Sequence, residues 1–111
     1  MRSYHITDLT SEDIRRITDR LRAMELEAGL EGLYWLPVPP ALLSDVQQRH
    51  ATGCGPYVMG LEVEDDSLRL EFLVRARGVL RCECVHYASP KLETYMMRYL
   101  DDLLSQLGVA V

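Results

Sequence analysis

Ile14, Ile17, Leu21, Met24 and Ala28 recur at spacings of three and four. That spacing places them on one face of a helix. Thr10 is suited to cap its start, and Glu12 and Asp13 put negative charge in the first turn. Leu9 and Ile14 flank the cap as a hydrophobic staple. With Gly29 as the stop, the pattern predicts a helix over 11–28. The aromatic run Leu33-Tyr34-Trp35-Leu36, which follows Gly32 and precedes Pro37, predicts a buried strand over 33–38. A second helix is predicted over 40–50, with Pro40 in its first turn and Leu43, Val46 and His50 on one face. Gly53, Gly55 and Pro56 end it and turn the chain. Ser89-Pro90 opens a last helix over 89–108, striped by Leu92, Met96, Tyr99, Leu100, Leu103 and Leu107 and stopped by Gly108.

Between these helices the period changes from 3.6 to two, and residues 57–87 read as a three-strand meander. Tyr57, Met59, Leu61 and Val63 share one face, as do Leu68, Leu70, Phe72 and Val74, and Leu80, Cys82, Cys84 and His86. A two-residue turn at Asp65-Asp66 pairs Val63 with Leu68 and Leu61 with Leu70, and sets Glu62 against Arg69 on the other face. A turn at Ala76-Arg77-Gly78 would set Phe72 against Cys82, Leu70 against Cys84, Leu68 against His86, and Glu71 against Glu83. Slipping either hairpin by one residue would separate the apolar faces. The expected fold is therefore α+β in the order α-β-α-β-β-β-α. An antiparallel meander, widened to four strands by 33–38, is packed on one face by helices, with residues 1–9 as an N-terminal arm.

The 111 residues suit one domain over 1–111. With 48% hydrophobic and 26% charged residues the chain has the composition of a folded protein. Twelve Lys+Arg against 17 Asp+Glu, a net charge of -5, is the wrong balance for displacing counterions from nucleic acid. Segment 40–108 has the α-β-β-β-α order of double-stranded RNA-binding domains, but SPKLETYMMRYL at the last helix start has no lysine cluster. In outline the chain also resembles roadblock-type dimerising domains, but GLEGLYWLPVPP is too short for their first hairpin. Neither family is adopted. No apolar leader or membrane-length segment is present, and the odd count of three cysteines fits a reducing compartment, so a cytoplasmic protein is expected.

Two patterns could carry chemistry. His50-x3-Cys54 and Cys82-x-Cys84-x-His86 together offer five ligands of the kind zinc prefers. Same-face residues of a regular strand lie about 6.6–6.8 Å apart, whereas two sulfurs on one zinc must approach to about 4 Å. Core packing is therefore the favoured reading of Cys82 and Cys84, and a metal site the alternative. Cys54 with His50 also suggests a nucleophile, but a helix C-terminus disfavours a thiolate. GCGP lacks a phosphate-binding spacing, and Asp65-Asp66 and Asp101-Asp102 read as solvated pairs, so no cofactor is expected. The second pattern is Val58, Leu73, Val85 and Tyr87, which fall on the sheet's outer face among charges. Apolar groups so placed suggest a contact surface. The expectation is a non-enzymatic interaction module that forms a homodimer, with no nucleic-acid or membrane partner. A metal- or small-ligand-binding protein, possibly an enzyme, is the alternative.

Overall fold

The computed structural model describes residues 2–110; Met1 and Val111, the ends of the expected single domain, lie outside them. The elements are β1 (Ser3–Ile6), α1 (Ser11–Ala23), β2 (Leu33–Pro37), a 3-10 turn (Pro40–Leu42), α2 (Asp45–Cys54), β3 (Tyr57–Val63), β4 (Leu68–Glu71), β5 (Leu73–Ala76), β6 (His86–Tyr87) and α3 (Pro90–Gln106). The fold is α+β with an antiparallel sheet, in the order the hydrophobic pattern predicted.

β3 is the central row. β2 pairs along one side of it, and β4 and β5 in succession along the other. The Asp65-Asp66 hairpin has the expected register, Val63 against Leu68, Glu62 against Arg69 and Leu61 against Leu70. The outer pair is joined by an Arg69–Glu62 ion pair at 3.3 Å. The strand over 68–76 bulges at Phe72, whose N–H donates to Arg2 and whose carbonyl accepts from Ala88. Alternation survives the bulge, so Leu68, Leu70, Phe72, Val74 and Ala76 are all buried. β1 and β6 lie outside this strand, pairing with β4 and β5. The segment expected as an arm is thus an edge strand. Its Tyr4 hydroxyl donates to Asp101 of α3 at 2.8 Å.

The inner face of the sheet forms one buried cluster with Ile17 and Leu21 of α1 and Leu92, Met96, Leu100, Leu103 and Leu104 of α3. Three boundaries differ from the sequence pattern, each for a local reason. α1 stops at Ala23 instead of 28 because Glu25 takes a left-handed conformation (φ 58°). The N–H of Glu25 then bonds Arg22 O and that of Leu26 bonds Leu21 O. This is a Schellman closure with glutamate where glycine is usual. α2 begins at Asp45 instead of 40, because Ser44 and Gln47 form a reciprocal capping box. It runs on through Thr52 and Gly53 to Cys54.

The third difference decides the site. The expected third strand is reduced to His86–Tyr87, which pair with Val74 and Leu73 instead of extending back to Leu68. The expected pairs Phe72–Cys82, Leu70–Cys84, Leu68–His86 and Glu71–Glu83 do not form. Residues 77–85 leave the sheet because the end of α2 and the turn after it offer them hydrogen bonds. Gly78 N–H donates to Cys54 O at 2.7 Å, and Arg77 N–H to Pro56 O at 2.9 Å. A Cβ on Gly78 would lie 2.6 Å from Cys54 O, so this crossing requires glycine.

Candidate metal centre

Four polar tethers hold the 77–88 segment against α2 and the residues that flank it. Besides the two backbone bonds at Arg77 and Gly78, the buried Gln47 Nε2 donates to Cys84 O at 3.0 Å. Its Oε1 accepts from Ser44 N at 3.0 Å, so both ends of this amide are satisfied. Ser44 Oγ lies 2.9 Å from His86 Nε2. The other ring nitrogen of His86 faces Tyr87 O at 3.1 Å. A carbonyl can only accept, so Nδ1 carries the proton and Nε2 accepts from the Ser44 hydroxyl.

Within the segment, Val85 N–H closes a turn onto Cys82 O at 3.0 Å, with Glu83 and Cys84 at its corners. The turn removes the objection that a strand would hold the two thiols too far apart. Ligand atoms of His50, Cys54, Cys82 and Cys84 all lie within 4.8 Å of one another. His50 Nδ1 is 3.2 Å from Cys82 Sγ and 4.0 Å from Cys54 Sγ. Four of the five candidate ligands therefore converge. His86 is not among them, since Ser44 and the Tyr87 carbonyl occupy its two nitrogens.

The donor set fits zinc. Three thiolates and one imidazole form a closed structural set, and bonds near 2.3 Å to sulfur place ligand atoms about 3.3–3.8 Å apart. The cluster needs to contract by about 1 Å at its widest to reach that spacing. His50 presents Nδ1 to the thiols, which leaves Nε2 to donate outward. Glu83 Oε1 lies 3.6 Å from that atom, the carboxylate–histidine arrangement that orients metal-bound imidazoles.

The thiols are not equivalent. Hydrogen bonding from the Cys84 N–H, then from its thiol, draws Cys82 down to about 7, with His50 adding to the effect. Desolvation, then the neighbouring thiols of Cys84 and Cys82, push Cys54 up to about 11. Of Cys54 and Cys82, Cys82 is the more readily ionised. Cys54, which the sequence reading weighed as a nucleophile and disfavoured, is the poorer thiolate of the two. Cys84 is fully buried.

Behind the thiols stands a residue that sequence reading assigned only to the core. Tyr57 is buried, 4% exposed, and among the described residues its hydroxyl is the buried side-chain oxygen or nitrogen without a hydrogen-bond partner. Burial, and next the Cys84 thiol, raise its pKa. Its alternating position in β3 could be read from sequence, but its nearness to Cys84 depends on the path of a loop.

The outer-face residues fare unequally. Val58 is buried, Leu73 and Val85 are half-buried, and Tyr87 is 40% exposed with Arg2 stacked 4.2 Å from its ring centre. Trp35 accounts for much of the cover, since it pairs with Gly60 and its ring would touch a Cβ there at 3.4 Å. Between Trp35, Val58, Val79 and Val85 lies a cleft of about 420 Å³, and Leu80 at its rim is 90% exposed. No helix among the described residues is long and apolar enough to cross a membrane. Family models, curated proteins and solved structures give no match to this chain.

Proposed function

We propose that this protein is a small zinc-binding domain in which His50, Cys54, Cys82 and Cys84 hold one ion with a structural role. The observation that supports it is the convergence of four ligand atoms within 4.8 Å from two segments some thirty residues apart. Hydrophobic packing does not ask for this arrangement. A buried Cys can serve as a small hydrophobe, but packing gives no reason to turn three thiols and an imidazole toward one point. Four protein ligands leave no open position, which is the pattern of a structural rather than a catalytic ion. The ion would fix the 77–85 loop to α2.

Elemental analysis and zinc titration test this. The expected result is one tightly held zinc per chain, lost in Cys82→Ser and in Cys84→Ser but kept in His86→Ala. A protein that takes up no stoichiometric zinc while its cysteines are reduced overturns the reading.

The exposed Leu80 beside an apolar cleft supports a second reading, compatible with the first. In it the domain acts by contact and forms a homodimer through the outer face, as Val58, Leu73, Val85 and Tyr87 suggested. Val58 and Val85 line the cleft itself, so the zinc-pinned loop would form one wall of the contact surface.

A further inference from the structure

Tyr57 poses a question that packing leaves open. Phenylalanine would fill the same space in β3 without burying a hydroxyl. An unsatisfied buried hydroxyl costs about 1–3 kcal/mol, and native proteins seldom keep one without a reason. The side chain that acts on it most is the Cys84 thiol. A neutral thiol accepts hydrogen bonds weakly, whereas a thiolate accepts strongly. Cys84 is fully buried, and a cysteine that ligates a metal does so as the thiolate. The metal-ligating groups beside Cys84 are the thiols of Cys54 and Cys82 and the His50 imidazole, which are themselves claimed by the ion.

Resting on the zinc reading above, we infer that Tyr57 is a positioning residue of the centre, its hydroxyl donating to the Cys84 thiolate when the ion is bound. The ion gives Cys84 its charge, and that charge gives Tyr57 its partner. The hydrogen bond orients the sulfur and moderates its charge, as outer partners of metal ligands commonly do. Glu83 plays the corresponding part for His50 from the solvent side. The two sides differ in weight, because Glu83 is well exposed and Tyr57 is not.

The test is Tyr57→Phe, read in both metal states. Zinc affinity is measured by competition with a chromophoric chelator. The thiolate-to-metal charge-transfer band is recorded for the cobalt-substituted protein, and thermal unfolding is followed with zinc and with chelator. The expected result is a loss of affinity of about 10–100-fold and a shifted charge-transfer band. The metal-free variant should be as stable as the metal-free parent or more so, because an unpaired hydroxyl has been removed. Wild-type zinc affinity and an unshifted band in Tyr57→Phe overturn the inference and leave the centre standing. So does a loss of stability equal in both metal states, which marks a packing role alone. A parent protein that binds neither zinc nor cobalt overturns the centre and Tyr57's role together.

Discussion

Glu25 occupies the left-handed position that closes α1, with φ at 58°. Its side chain is exposed and takes no part in the closure, which is made by the backbone bonds of Glu25 and Leu26. A non-glycine residue held there costs about 1 kcal/mol, and glycine avoids it. Glu25→Gly should therefore stabilise the protein by about 0.5–1 kcal/mol, raising the thermal midpoint by a few degrees. An unchanged or lower midpoint would show that the conformation carries no strain. The same residue explains why the end of α1 was misplaced from sequence. Gly29 was the visible stop, and glutamate carries no signal for a left-handed turn. The start was legible, because Thr10 and Asp13 form the cap through groups three positions apart in the chain. Ser44 and Gln47 were equally local, but the Pro39-Pro40 pair, itself a good helix opening, masked them.

At the scale of elements, what could be read from sequence is what local alternation controls. The β3–β4 register follows from a two-residue turn and two apolar faces, and it holds pair for pair. The 77–85 loop follows from contacts across the fold. Its apolar alternation, Leu80, Cys82, Cys84 and His86, satisfies a strand pattern as well as any other segment. The hydrogen bonds from α2 override it. Gly78 is the point where this is decided, since its N–H reaches Cys54 O at 2.7 Å and a side chain there would strike that carbonyl. Gly78→Ala should push the loop from the α2 C-terminus, separating Cys54 from Cys82 and Cys84. The expected outcome is a destabilisation of about 1–3 kcal/mol together with weakened zinc binding. Faster amide exchange should be confined to 77–85 and the last turn of α2, with β1 and α3 as protected as before. Wild-type zinc affinity in this variant would mean that the loop reaches α2 by another route. The candidate ligands were visible in the sequence as residue types at suggestive spacings. Their convergence was not, because it depends on this one crossing.

At the scale of the whole molecule, the sheet has one face filled and one face partly covered. The inner face is closed by α1 and α3. On the outer face Trp35 screens Gly60 and Val58, and Arg69–Glu62 and Arg75–Glu71 pairs complete the charged surround. What remains is a knob beside a hole, Leu80 at the rim of a cleft of about 420 Å³. A two-fold contact needs the same patch on both partners to be complementary to itself, and a protruding leucine next to a recess with room for it meets that condition. The flanking charges have both signs, with Arg77 and Arg81 on the loop and Glu83 on its turn, so two copies can meet without like charges facing each other throughout. Burying a leucine side chain contributes about 1.5–3 kcal/mol, and the symmetric contact does so twice. Sedimentation at high micromolar concentration should show a dimer for the zinc-loaded protein and a monomer for Leu80→Asp. Chelator should weaken the dimer, because the wall that carries Leu80 is the loop that the proposed ion would hold. A zinc-loaded protein that sediments as a monomer removes the dimer and leaves the metal centre unaffected. A dimer indifferent to both Leu80→Asp and chelator places the contact elsewhere than on the Leu80 patch.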